Sequence, residues 1–205
     1  MAQFIESLES RRLLSGTSAI GVLQTDGKAL SADVKALGKS GVANLKIIQA
    51  DVKAGANAKA SKAALKTLGA DSKSGVAALS KHTSKTVSLI TRDVKKGEAS
   101  VKQLLKKPGN AALGAKLGAA IAALNADAAA GQTAIEADLA ALNATGSVNY
   151  AALEAVDVGD TKLTTDVSNT VVPSNTAAET AISTAASTAL VTDVAAVVAE
   201  ANAVL

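Results

Sequence analysis

Apolar positions along the first half of the chain fall into two heptad rows. The row drawn from Gly27 reads Gly27, Val34, Gly41, Ile48, Gly55, Lys62, Gly69, Val76, Thr83, Ile90, Gly97 and Leu104. Its companion supplies Leu30, Leu37, Leu45, Val52, Leu65, Leu79, Val87, Val94 and Val101. A sustained seven-residue repeat of this kind marks one face of a long amphipathic helix packed as in a coiled coil. The glycines on the seam bring a partner helix close, at about 1 kcal/mol each relative to alanine. The spacing therefore predicts an unbroken or gently bent helical arm over residues 18–107, with breakage into shorter helices at the glycines as the alternative. The phrase Ala-Asp-Val-Lys at residues 32–35 and 50–53, with variants at 70–73 and 92–95, recurs too irregularly for a solenoid and reads as helical low complexity.

Pro108-Gly109-Asn110 closes that arm, because proline cannot continue a helix while glycine and asparagine accept positive φ. Beyond it Leu113, Leu117, Ile121, Leu124, Ala128, Ile135, Leu139 and Leu142 recur at three-and-four spacing, which predicts a helix over 111–144. Residues 144–147 read as a connection, and a further helix follows over 149–171 through Leu153, Val156, Leu163 and Val167. Pro173 is expected to end it. Thr176 and Glu179 have the form of a capping box that opens a last helix over 177–203, carrying Ile182, Leu190, Val194, Val197, Val198 and Val204. The expected fold is all-α, an elongated antiparallel helical hairpin or bundle with coiled-coil-like packing.

Charge sharpens the division at Pro108. Residues 1–108 hold 19 Lys and Arg against 8 Asp and Glu, and residues 109–205 hold 2 against 10, so the two arms carry opposite charge within a chain of net +3. Folding the acidic, Ala/Thr-rich arm of residues 111–205, in two or three helices, back on the basic arm would set Lys opposite Asp and Glu at the seam edges. The arms could also complete their seams between two copies of the chain, making self-association the first partner expectation. The most apolar windows, 111–124 and 185–205, are short or interrupted by Asp193 and Glu200, so no membrane span is expected.

The composition bears on chemistry mainly by exclusion. The chain has no Cys or Trp, one Met, one His, one Phe and one Tyr, which removes disulfides, thiolate metal sites and Cys nucleophiles. His82 sits in Ser80-Lys81-His82-Thr83-Ser84 on a Lys-rich helical stretch, without the turn that exposes a serine nucleophile, and reads as an exposed helix residue. Asp157, Asp160 and Asp166 approach the spacing of a calcium loop but lack its alternating acids and terminal Glu. Gly114 and Gly118 form a small-xxx-small pair suited to close packing, and no phosphate-binding glycine motif is present. The sequence thus predicts no enzyme, no cofactor and no small-molecule substrate.

Two segments carry information about address and partners. Leu8, Glu9, Arg11, Leu13, Leu14 and Ser15, within residues 4–15, resemble the N-terminal Leu-Glu-Pro-Arg-x-Leu-Leu motif of planctomycete surface and secreted proteins, with Ser10 where that family has Pro. The resemblance implies export or a surface location, against a cytoplasmic alternative, and implies no activity. Residues 1–17, including Arg12 beside Arg11, are accordingly a targeting-like segment; the paired arginines also resemble part of a twin-arginine signal. Structurally, the same residues read as a short amphipathic helix with Phe4, Ile5 and Leu8 on a partner surface. Lys95, Lys96, Lys102, Lys106 and Lys107 have the Ala/Lys texture of polyanion-binding tails, since lysine neutralises phosphates without reading sequence. The functional expectation is a structural or interaction protein, with a histone-like polyanion binder and an amphipathic coat for lipid or polymer surfaces as alternatives.

Overall fold

The computed structural model describes residues 19–205, and among them there is no strand. Four helices account for nearly all of that length: α1 (Ala19–Ala54), α2 (Ala58–Leu104), α3 (Ala111–Val156) and α4 (Thr161–Asn202). The all-α expectation holds. The targeting-like segment, with Leu8, Glu9, Arg11, Arg12, Leu13 and Leu14, lies outside the described residues.

The turns follow local chemistry. Gly109 adopts φ +76° after Pro108, and Asn110 Oδ1 accepts the Ala112 and Leu113 N–H groups at 3.1 and 3.2 Å, capping α3. Gly159 adopts φ +101°, and Asp160 Oδ1 accepts the Lys162 and Leu163 N–H groups, both at 3.0 Å, capping α4. The acids at 157–160, considered above for a calcium loop, serve this turn. Asp157 Oδ1 accepts the Asn57 N–H at 3.3 Å, so the α3–α4 turn also holds the α1–α2 turn.

That second turn replaces the unbroken arm with its alternative at one glycine, because the basic arm is two helices broken at residues 55–57. Gly55 is needed there: a Cβ on it would overlap the Asp157 carboxylate and come within 2.9 Å of Asp160 Oδ2. Next to the break the seam departs locally from the heptad row drawn from Gly27, which resumes with Thr83, Ile90 and Leu104 buried. Lys62, on that row, is exposed, while Ser61 and Leu68 are buried in its stead.

Two further boundaries move for tertiary reasons. α3 continues through residues 144–147 to Val156, with Ser147 Oγ returning its proton to the Asn143 carbonyl at 3.0 Å. α4 passes Pro173 without stopping, because a π-helical turn, Val167–Val171, immediately precedes it. There the Val172 N–H donates to the Val167 carbonyl, five residues back. The widened turn displaces the carbonyl that a proline ring would strike in a regular α-helix. Thr176 and Glu179 consequently lie inside α4 and form no cap. A second π-turn spans Thr188–Thr192. Each adds a residue to its turn, so buried positions step by four through Leu163, Val167 and Val171, and again through Ala186, Leu190 and Val194. Uninterrupted, α4 is long and apolar enough to cross a membrane by length and composition, unlike the separate windows read from the sequence.

The chain divides into two compact units, each assembled from a length of all four helices. The first contains the described residues 19–30, 82–134 and 184–205, and the second residues 31–81 and 135–183. In the second, α1 meets α2 antiparallel, with Gly38 against Val76, Gly41 against Ser72 and Leu45 against Gly69. α2 meets α3 through Gly75 and Leu142, and a core of Ile48, Val52, Leu68, Leu153, Leu163, Val167 and Val171 joins all four helices. In the first unit Gly27 faces Val87, Gly97 faces Leu117, and Val101, Leu104, Leu113, Leu117 and Ala201 form a cluster. Within each unit these contacts make a four-helix bundle in which each helix touches two antiparallel neighbours.

The closest approach in the first unit is between α2 and α3. A Cβ on Gly131 would overlap the Thr86 side chain and lie 2.9 Å from its Cβ, so the backbone of α3 rests directly on a buried threonine. Helix propensity alone makes Gly131→Ala stabilising by about 1 kcal/mol. The packing reverses the sign, and urea denaturation of this variant is expected to show a net loss of about 1–2 kcal/mol.

Candidate functional site

The second unit contains a partly buried polar arrangement that spans three helices. The turn of α4 after Pro173 presents Ser174 and Asn175 to α1. Ser174 and Ser40 hydroxyls pair at 2.9 Å, and the Asn44 amide donates to Asn175 Oδ1 at 2.8 Å. The Asn175 amide in turn donates to the Tyr150 hydroxyl on α3 at 2.9 Å. Three helices are thereby threaded by one chain of hydrogen bonds.

A cavity of about 60 Å³ adjoins this chain, lined among others by Leu37, Ser72, Leu142, Asn149, Tyr150 and Glu179. On its flanks the Asn149 amide donates to Asp71 Oδ2 at 3.0 Å, and the Asn143 amide donates to Glu179 Oε2 at 2.8 Å. Burial pushes the Tyr150 phenol above its ordinary pKa, partly opposed by the Asn175 hydrogen bond, and burial also raises the Glu179 carboxyl. The cavity has room for a few waters.

Two ion clusters stabilise the seams where basic and acidic arms meet. In the first unit Asp93 is 1% exposed and receives Arg92 through Nε at 2.8 Å and Nη2 at 2.9 Å, while the same Nη2 reaches Asp127 Oδ2 at 3.0 Å. The guanidinium hydrogen bonds hold the Asp93 carboxyl below the usual range, and the neighbouring Asp93 raises that of Asp127. In the second unit Lys162 joins Asp51 and Asp166, the latter at 2.6 Å; those two carboxylates raise the ammonium pKa, and Lys162 lowers that of Asp166. Of these contacts Arg92–Asp127 alone sets a basic-arm cation on an acidic-arm carboxylate, as the opposed arm charges anticipated; Arg92–Asp93 and Lys162–Asp166 lie within one helix, and Lys162–Asp51 has the reverse polarity.

A third polar feature has no cation paired with it among the described residues. Asp193, directly after the second π-turn, is 7% exposed, and its Oδ2 is buried with no hydrogen-bond partner among the described residues. Burial, reinforced by Asp26 on α1, pushes its carboxyl up to about 6. Nothing in the amino-acid pattern marked this residue, which looked like a polar interruption of an apolar stretch.

The residues singled out from sequence do not converge on a site. Lys95, Lys96, Lys102, Lys106 and Lys107 are all exposed at the C-terminal end of α2 and the following turn, with Lys96 Nζ 3.6 Å from Asp93 Oδ1. Their positive charge complements the negative end of the α2 dipole. His82 is half-buried on α2, where full exposure was expected. Gly114 packs against Leu205, while a Cβ on Gly118 would meet nothing within 4 Å among the described residues. Among the described residues no group of three or more His, Cys, Asp or Glu is disposed to hold a metal.

Two stability measurements follow. Tyr150→Phe is expected to cost about 1 kcal/mol in urea unfolding, and Asn175→Ala about 2–3 kcal/mol, because the latter strands both Asn44 and Tyr150. For Asp193, a carboxyl raised to about 6 in the fold but near 4 when unfolded keeps its proton longer in the native state. Its contribution to unfolding free energy is thus fully favourable below pH ~4 and declines as the pH rises to ~6. Asp193→Asn is expected to remove that decline, so the variant exceeds the parent by about 1–2 kcal/mol above pH ~6 in parallel pH-dependent melts. No family model, curated protein or solved structure matches this chain.

Proposed function

We propose that this chain is a non-enzymatic helical module that works by presenting its surface, as a structural or interaction protein. The observation that carries the reading is the Ser40–Ser174 and Asn44–Asn175–Tyr150 bonding, in which the polar groups beside the cavity are spent on one another across three helices. Groups committed in this way fix helix register and are poorly placed to do chemistry on a guest. The resemblance of residues 8–15 to an export-associated motif adds a surface or secreted location to the proposal.

A second reading draws on the five exposed lysines at the end of α2. Lysines free in solvent can neutralise a polyanion backbone, and binding would weaken steeply with salt.

Both readings are tested on the full chain. Thermal melts against panels of nucleotides, sugars, amino acids, fatty acids and divalent cations are expected to show no saturable rise in Tm. A saturable rise abolished by Tyr150→Phe or Glu179→Gln would make the cavity a ligand site and overturn the first reading. Retention on duplex DNA or heparin that falls with salt, and is lost when the five lysines become glutamate, would establish the second reading in its place.

A further inference from the structure

Between α2 and α3 in the first unit, outside the apolar cluster of Val101, Leu104, Leu113 and Leu117, runs an open groove of about 440 Å³. Its floor is Ser100 and Ala120, both buried, and its walls carry Ala99, Ala119 and Ala123. Methyl groups on both helices leave the groove open where longer side chains would close it. The Ser100 hydroxyl is spent on the Lys96 carbonyl at 3.1 Å, so the floor offers a guest apolar contact and few hydrogen bonds. From Asp93 to Gln103 the groove follows α2 for about 15 Å.

Charge gives the groove a sign. An exposed lysine stands on each wall, Lys96 on α2 and Lys116 on α3. Lys116 is one of two basic residues in 109–205, and the other, Lys162, is held by Asp51 and Asp166. At the Asp93 end the acids are already matched, since Arg92 binds both Asp93 and Asp127. Beyond it, residues 94–116 carry Lys95, Lys96, Lys102, Lys106, Lys107 and Lys116 against the single acid Glu98, which lines a different cleft beside Val197 and Ala201.

We propose that this groove docks an acidic amphipathic helix of another protein, which lays a face of small residues on Ala119, Ala120 and Ala123 and sets carboxylates against Lys96 and Lys116. The inference rests on the interaction-protein reading above and gives it a surface and a partner. Charge complementarity selects the occupant. A second copy docked through the same face would set lysine against lysine. Duplex DNA or a sulfated chain would meet the lysines but has no face to bury on recessed methyl groups. A helix with acidic flanks does both, in the helix-in-groove manner. An alanine floor also lets its backbone come close, as the chain's own helices do where Gly131 meets Thr86.

The full chain is titrated with a synthetic peptide whose helical seam is alanine and leucine and whose flanks are glutamate, with a lysine-flanked counterpart and heparin alongside. The glutamate peptide is expected to bind saturably and gain helicity, and the lysine peptide not to bind. Ala99→Gln with Ala119→Gln lengthens two exposed side chains into the groove without changing charge. This pair is expected to weaken the peptide at least about tenfold and to leave any heparin retention unchanged. Lys96→Glu with Lys116→Glu is expected to weaken it by as much, with thermal melts confirming that both variants stay folded. Equal binding of the two peptides, no binding of either, or binding that survives either pair overturns the proposal and leaves the interaction reading to another surface. A guest saturating the cavity at Tyr150 would instead overturn that reading itself.

Discussion

Everything in this structure depends on how closely two helix backbones can approach when most of their apolar residues are alanine, valine and glycine. A seam built from such side chains buries little area per residue, so stability must come from contact between main chains and from the few large residues distributed along them. At Gly131 the α3 backbone rests on Thr86, and at Gly38 a Cβ would stand 3.2 Å from Val76. Leu30, Ile48, Leu79, Leu117, Ile135, Leu153, Leu163 and Ile182, all fully buried, fill the space between these near-contacts. The arrangement tolerates neither a methyl group at the close points nor a gap at the leucines.

A seam of small, similar residues has a second weakness, which is that many registers are nearly alike. The interior polar groups answer it. Asn44, Asn175 and Tyr150 can satisfy one another in only one alignment of α1, α4 and α3, and Asp93 is tolerable at 1% exposure only beside Arg92. Such groups add less to stability than to choice among alternatives, in the way a buried asparagine selects register in coiled coils. Asp193 lacks such compensation among the described residues: its buried oxygen has no donor there, and its carboxyl is raised to about 6, so it costs stability near neutral pH.

Much of the helical content was legible in the pattern, and the errors share a cause. The turn at Pro108-Gly109-Asn110 needs only local chemistry, and it stands where the residues place it. Pro173 is equally strong local punctuation, yet α4 passes it, because a π-turn positioned by Val167 and Val171 in the core of the second unit removes the clash. Residues 144–147 read as a loop for their Thr, Gly and Ser, but Asn149 and Tyr150 just beyond them are held by Asp71 and Asn175, which keeps α3 intact. The site was less legible still. Asn44, Asn175 and Tyr150 lie far apart in sequence, and no short motif connects them; the single tyrosine in an aromatic-poor chain was the one available signal.

The sequence by itself determined that the chain is helical, that a basic half is followed by an acidic half, and that the lysines of residues 95–107 stay in solvent. Those properties arise from periodicity and charge, which act over one or two turns of helix. Only the tertiary structure decided that the basic arm breaks at Gly55, where the carboxylates of Asp157 and Asp160 fill the place of a side chain. It likewise decided that α4 is a single helix with two π-turns, and that one aspartate inside an apolar run is buried against another. These outcomes turn on contacts between residues remote in sequence, where steric exclusion and burial outweigh the local preference of any one residue.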